Sequence, residues 1–386
     1  MRITYVTQTR FPVPKAHGKQ IAEVCAALAA LGHKVTLVCP NVYSGVHRDA
    51  FSYYGIPKSF EVKRLDHFDA SIHWWLKPLG FFHFPINMWR YKKALTGFLR
   101  THKTDLFYVR ASLLVPLLAK TGVPVILELH TIPKRRSRRF ATLCNSCKKV
   151  VCLTHLMAHE LRRRGIDRAK IVVEPDGVDL SRFRHVPSLK DAKKKAKNFP
   201  DDRPVVGYVG SFFTQRKIEK GVGVIIEALA ILKRKNVPLY GLFAGGQSGE
   251  IEMYKRAARQ KKIDRDVLFH GLLAAAEVPL QLAACDILIY PAPASKHPYF
   301  QRDTSPLKLF EYLATGRPII CADLPPLREV VDDRTVFFFT PGDATSLAHW
   351  IDHVLSRPTE AKKKAERGQS LVKAFDWKKR MERIMA

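Results

Sequence analysis

No stretch of the 386-residue chain reaches the ~18 uninterrupted apolar residues that a membrane-spanning helix requires. The opening MRITYVTQTRFPVP has only a short apolar run, which reads as a first strand rather than a signal peptide. There is no G-x4-GK[ST] phosphate loop, and no G-x-G-x-x-G follows the first apolar run. A dinucleotide site is therefore a poor expectation. Cysteine is scarce and irregular: seven residues, at 25, 39, 144, 147, 152, 285 and 321. That pattern predicts reduced thiols and a cytoplasmic setting, not a disulfide framework. Cys144 and Cys147 form a C-x-x-C, but no second ligand pair follows, so a packed helix end is expected there rather than zinc. Acidic residues are few, 35 against 65 Lys and Arg, for a net charge of +30. Such a field draws anionic partners: nucleic acid, anionic lipid or phosphorylated glycans. Without a recognition-helix or zinc-finger pattern, nucleic acid is not the expected one.

What is present is a repeating order of elements. The apolar share of 46% can fill two cores of roughly 190 residues each. Arg2–Thr7 reads as a buried strand, Gln20–Leu31 as a helix stopped by Gly32, and Lys34–Cys39 as the next strand. Leu106–Val109, Val123–Leu129 and Lys149–Leu153 continue the series. The lysine-rich, proline-punctuated run 184–204 reads as a connector, part of it a solvated helix. A second series follows from Val205–Val209 to Ile319–Cys321. β-α-β order with strands apolar on both faces predicts parallel sheets covered by helices. The fold class expected is α/β, with two Rossmann-like doubly wound domains facing a cleft. The first is 1–185 plus a C-terminal helix, 370–386, and the second is 186–369. Ligands in such sheets sit at the carboxyl ends of the strands.

One segment carries the most chemistry: Asp303-Thr-Ser-Pro-Leu-Lys-Leu-Phe-Glu311. Ser305 suits a helix cap, Pro306 and Leu307 its first turn, and Gly316 and Pro318 its end. The start of that helix suits a diphosphate. Lys308, in the first turn, is unfavourable to the dipole unless an anion lies nearby. Glu311 can accept two hydrogen bonds from vicinal hydroxyls such as those of ribose. Asp264-Arg-Asp266 has D-x-D spacing but falls in a turn and reads as structural, so no metal is expected.

The segment resembles the E-x7-E signature of retaining glycosyltransferases with two Rossmann-like domains, the GT-B enzymes of glycosyltransferase family 4 (glycosyl transferases group 1), with Asp303 in place of the first Glu. The resemblance covers nearly the whole chain. Gly207-Tyr-Val-Gly-Ser211 with Lys220-Gly221 is similar to the family's strand and loop in which a lysine meets the diphosphate. Ser211 stands where an arginine is usual, and Arg216 or Lys217 would supply that charge. Leu242-Phe-Ala-Gly245-Gly246 and Phe269-His270-Gly271 resemble the strands whose loops lie near the nucleotide. Pro14 to Lys19 resembles the family's glycine loop, with Gly18 near the donor phosphate. Glu128-Leu-His130 resembles the strand-end histidine near the reacting sugar. Pro175-Asp-Gly-Val-Asp179 matches a hinge turn, and Phe375-Asp-Trp377 the start of a final helix that returns to the first domain.

The resemblance implies a hexosyl transfer from a nucleoside-diphosphate sugar to a glycan or lipid-linked acceptor, retaining and metal-independent, in cell-surface polysaccharide, lipopolysaccharide or glycolipid synthesis. His130, Asp303 and Lys220 would be catalytic, and Glu311 would hold the ribose. Trp74-Trp75-Leu-Lys-Pro-Leu-Gly-Phe81-Phe82-His-Phe84, with the basic run Lys134–Arg139, suggests docking on the anionic inner face of a membrane. A sugar-nucleotide epimerase of the same architecture is the alternative.

Overall fold

The alternating apolar runs do become parallel strands. In the computed structural model the chain divides into two units, Met1–Asp176 with Trp377–Ala386, and Gly177–Asp376. The described residues are 1–67, 80–135, 137–196, 199–200, 202–214 and 218–386. The tryptophan pair at 74–75 and the basic residues Arg216 and Lys217 lie outside them.

In unit 1, β1 (Arg2–Val6), β2 (Lys34–Pro40), β3 (Glu61–Leu65), β4 (Leu106–Val109), β5 (Val125–Leu129), β6 (Lys149–Cys152) and β7 (Ile171–Val173) form one parallel sheet. Their order is β3-β2-β1-β4-β5-β6-β7. β3 and β7 escape the sequence reading for a physical reason. They are the sheet's edges, and β3 (EVKRL) is mostly exposed and charged, as an edge strand can be.

Unit 2 repeats the plan. β8 (Val205–Val209) leads into a short antiparallel pair, β9 (Phe213–Thr214) and β10 (Ile218–Glu219). Then come β11 (Tyr240–Ala244), β12 (Val267–His270), β13 (Ile287–Tyr290), β14 (Ile319–Ala322) and β15 (Phe337–Phe339). The parallel sheet runs β12-β11-β8-β13-β14-β15. Counted from its own first strand, this is the same order as the first six strands of unit 1. In both units the winding reverses beside the first strand, between β1 and β4 and between β8 and β13. Crevices at the carboxyl ends of strands form at such points.

Three expectations need correction. The first helix spans Ala16–Ala30, so His17, Gly18 and Lys19 lie in its first turn and not in a loop. The lysine-rich run is no free connector. Its helix Leu189–Ala196 belongs to unit 2, with Ala192 buried on Ala283 and Ala284 and Lys193 2.9 Å from Asp286. The chain changes unit after Asp176 and after Asp376, not after 185 and 369. The reason is local: the Val178 N–H donates to the Phe375 carbonyl at 3.0 Å, which closes residues 177–185 onto unit 2.

The final helix, Trp377–Met385, packs on Ala16–Ala30 within unit 1. All seven cysteines are buried thiols, and none forms a disulfide. Burial pushes the Cys144 and Cys147 thiols up to about 12 and about 11, which leaves the pair unreactive at the end of its helix.

Candidate active site

In unit 1 the site grows from the end of β5. Side chains two apart on a strand share a face, so Glu128 and His130 meet: His130 Nε2 lies 2.8 Å from Glu128 Oε1. Glu128 is fully buried. Its Oε1 also accepts from Gln20 Nε2 and from an Arg380 guanidinium nitrogen, each at 2.8 Å, and Oε2 accepts from the Tyr108 hydroxyl. Arg110 donates to Gln20 Oε1 at 2.7 Å. Burial alone would raise the Glu128 carboxyl. Burial is the largest single influence, but the Arg380 charge, the His130 hydrogen bond and charge, and Arg110 together outweigh it and hold the group well below the usual carboxylate range. An ionised carboxylate only accepts, so the proton of the His130 ring sits on Nε2. Burial, then the Arg110 charge, lower the His130 pKa, so the ring is neutral and Nδ1 is its acceptor atom.

Donor atoms of Glu128, His130 and Asp176 lie within 4.8 Å of one another, a spacing that could hold a cation. The Arg380 guanidinium already occupies the Glu128 side of that cluster, and its charge opposes a second cation there.

Gly18 has a packing reason to be glycine. A Cβ there would come within 2.2 Å of the Tyr54 hydroxyl oxygen and 2.7 Å of Val13 Cγ1. That hydroxyl clips the loop after β1, accepting from the Val13 N–H at 2.7 Å and donating to its carbonyl at 2.9 Å. Beside it, burial and Arg110 lower the His17 ring to about 4.

In unit 2 the site grows from the ends of β8 and β13. Lys220 and Lys308 are both inward, and among the described residues each ammonium meets a tyrosine hydroxyl and no carboxylate. Lys220 donates to Tyr299, with its Nζ 3.8 Å from that ring's centre. Lys308 donates to Tyr208 at 2.6 Å, and Tyr208 donates onward to the Ser211 carbonyl at 2.6 Å. Burial lowers Lys220 to about 7. Lys308 is pushed well below the usual lysine range by burial and by the Lys220 charge, against the pull of Glu311 and Glu219.

Glycines make room for this arrangement. Gly245 has φ +110°, and a Cβ there would lie 2.6 Å from the Gly210 carbonyl oxygen. Gly210 in turn lies under Lys308, whose Nζ would be 3.0 Å from a Cβ. Gly246 faces the Phe212 ring, where a Cβ would come within 2.3 Å. The His270 carbonyl accepts from the Gly245 N–H at 3.2 Å. So Gly210, Ser211, Lys220, Gly245 and Lys308 do converge at one sheet edge.

The helix after Asp303 differs from expectation. It spans Leu307–Thr315 with Pro306 at its N-cap position, and no side chain caps it. Ser305 instead offers its carbonyl to the Leu307 N–H at 3.2 Å. Proline at the cap has a fixed φ and leaves Ser305 one residue too early. Asp303 ends a separate π-helical turn, Tyr299–Asp303, and its carboxylate is gripped by the Arg302 guanidinium at 2.6 and 3.1 Å. Glu311 is half-buried on the helix and acts on Lys308 electrostatically. Asp266 pairs with Arg203 and Lys233, each at 2.7 Å, as the structural reading of its turn requires.

Sequence reasoning missed Arg380, Arg110, Tyr299 and Tyr208, and assigned Asp176 only to a hinge. Arg380 sits in WKKRMERIM among three other basic residues, but it shares the helical face of Trp377, Met381 and Ile384, and that spacing is the signal that could have found it.

Two doubly wound units, each with polar residues at the carboxyl ends of its strands, define an α/β architecture that binds ligands at those ends. The comparisons give the family. Residues 190–371 match the model of glycosyl transferases group 1, and residues 18–182 that of glycosyltransferase family 4. The chain belongs to the GT-B glycosyltransferases of family 4. It is 22% identical over 270 residues to an alpha-D-kanosaminyltransferase of Streptomyces kanamyceticus, over 66% of this chain and 67% of that one. The alignments with the other curated relatives take in 56% and 37% of their lengths. Among solved structures it is similar to HepE of Anabaena in complex with UDP-glucose, with TM-score 0.71 and 19% identity, over 100% of this chain and 98% of that one. It is also similar to WaaG, a glycosyltransferase involved in lipopolysaccharide biosynthesis, with TM-score 0.67 and 15% identity, over 99% and 98%.

Proposed function

We propose that the protein transfers a hexosyl group from a nucleoside-diphosphate sugar to a glycan or lipid-linked acceptor in cell-surface polysaccharide, lipopolysaccharide or glycolipid synthesis. The observation that carries this reading is the inward pair Lys220, which is buried, and Lys308, which is half-buried. Two ammonium groups held without a carboxylate are a site that gains from a dianionic ligand, and the diphosphate is that ligand. The diphosphate recharges the two lysines as it binds, and as the bond to the sugar breaks these cations stabilise the charge that builds on the departing phosphate. Glu311 binds the ribose hydroxyls, and His130 with its acceptor Nδ1 faces the reacting sugar. Asp303, held by Arg302, orients the sugar. The reaction retains the anomeric configuration and needs no metal, since the lysines supply the positive charge. A phosphate oxygen takes the acceptor's proton. The UDP form is the first donor to try, because a protein of the same fold binds UDP-glucose.

A second observation favours an acceptor at a membrane surface. No helix among the described residues is long and apolar enough to cross a membrane. The helix Gly80–Leu99 nevertheless exposes Phe82, Phe84 and Trp89 beside Arg90, Lys92 and Lys93. Phe82 and Trp89 are two turns apart and share a face, and aromatic rings beside basic residues suit the headgroup boundary of an anionic leaflet.

A thermal-shift screen of nucleoside diphosphates and nucleotide sugars tests the donor reading, since a ligand at 100 times its Kd adds about 2.7 kcal/mol of stability. No shift with any of them contradicts it, and donor consumption without an acceptor would favour the epimerase. Co-sedimentation with anionic liposomes at low salt tests the surface reading, and its absence contradicts it.

A further inference from the structure

The last helix delivers an arginine to the interior of unit 1. Arg380 is 1% exposed. Burying a guanidinium is costly unless its donors are met, and here they are. Nε donates to the Pro175 carbonyl at 2.6 Å, and one terminal nitrogen donates to the Glu174 carbonyl at 3.2 Å and to Glu128 Oε1 at 2.8 Å. Anchoring the helix does not require this. Trp377, Met381 and Ile384 are buried beside it, and Arg383 pairs with Glu174 at 2.7 and 2.9 Å on the rim. What an apolar residue could not do is set the charge of Glu128, and Glu128 is the group that His130 touches.

We propose that Arg380 is a positioning residue for His130: it keeps Glu128 an ionised acceptor and so fixes the ring proton of His130 on Nε2, leaving Nδ1 to face the sugar. The inference rests on reading His130 as the group that meets the reacting sugar. The other polar groups on the cluster are Tyr108, Gln20, Arg110 and Asp176. Arg110 bonds to Gln20 and not to the carboxylate, so Arg380 alone puts a guanidinium on Glu128. Without it, burial protonates Glu128. The acid then donates to Nε2, and the ring proton moves to Nδ1, where it can no longer accept.

The experiment is nitrogen-15 NMR of the imidazole rings in the full chain at pH 7.5, with His130 assigned by its loss in His130→Gln. The parent protein is expected to show the Nε2–H form. Arg380→Met is expected to show Nδ1–H, and Arg380→Lys to restore Nε2–H. Should Arg380→Met not fold, Arg380→Gln, uncharged but still polar, is read in its place, and the same move to Nδ1–H is expected. On the donor found by the screen, kcat of the uncharged variant is expected to fall about tenfold or more with KM within about threefold, and Arg380→Lys to recover most of it. Retention of Nε2–H without the arginine, or an unchanged kcat, overturns the inference. The tautomer is read without any donor, so it stands or falls separately from the transfer reaction.

Discussion

The sheet edge of unit 1 closes its charges on one another, and that of unit 2 leaves them open. At the end of β5, Arg380, Glu128, His130, Gln20 and Tyr108 form one bonded set around a single carboxylate. At the ends of β8 and β13, Lys220 and Lys308 rest under tyrosine hydroxyls. The choice of cation follows the difference. Arginine stays charged in proteins and suits a site that is always paired, whereas lysine sheds its proton when buried and can wait for an anion. Unit 1 is thus preorganised without ligand, and the proposed function has unit 2 completed by one.

Breaking the closed set should have the largest effect. Glu128→Ala leaves Arg380 buried and uncompensated, and a loss of about 3–5 kcal/mol is expected in urea unfolding; a loss under 1 kcal/mol would mean the guanidinium reaches water. In the open site the cost should fall on function instead. Glu311→Ala and Lys220→Ala should each lower transfer by about tenfold or more, the ~1.4 kcal/mol scale of one useful polar contact. Near parental turnover in both would remove the site assignment.

The smallest effect has the opposite sign. Lys220→Met should stabilise the unliganded protein by about 1 kcal/mol, since it removes a buried ammonium that has no carboxylate. The pH dependence follows from the same group. Lys220 releases its proton near 7 in the folded chain and near its ordinary 10.5 in the unfolded one. Between these values the unfolded chain holds more protons, so stability rises with pH through that window. The rise should be smaller in Lys220→Met; equal slopes would place the titration elsewhere.

The two sites were also unequally legible from sequence. The open site is assembled from short segments, Gly207–Ser211, Lys220-Gly221 and Lys308 to Glu311, each of which carries its own motif. Its glycines and lysines could be named because these segments resemble the family's loops after the corresponding strands. What the pattern could not supply was the cap geometry, because whether Ser305 or Pro306 caps the helix depends on backbone angles. The closed site depends on residues 252 apart, Glu128 and Arg380. Helical spacing puts Arg380 on the face of Trp377, Met381 and Ile384, but only the return of the final helix to unit 1 identifies its partner. Among the strands, β1, β4 and β8 were legible because a doubly covered sheet leaves an apolar run, while β3 was not because an edge needs none.

The most direct test of the open site is the proton balance of diphosphate binding. Calorimetry of UDP binding near pH 8, in buffers of different ionisation enthalpy, should show net proton uptake as the lysines recharge, and the Kd should rise up to about tenfold for each pH unit above about 7. Lys220→Arg, which stays charged, should flatten that slope. UDP binding without proton uptake and with the same pH slope in Lys220→Arg, or no binding at millimolar UDP, would contradict the assignment of the diphosphate to Lys220 and Lys308.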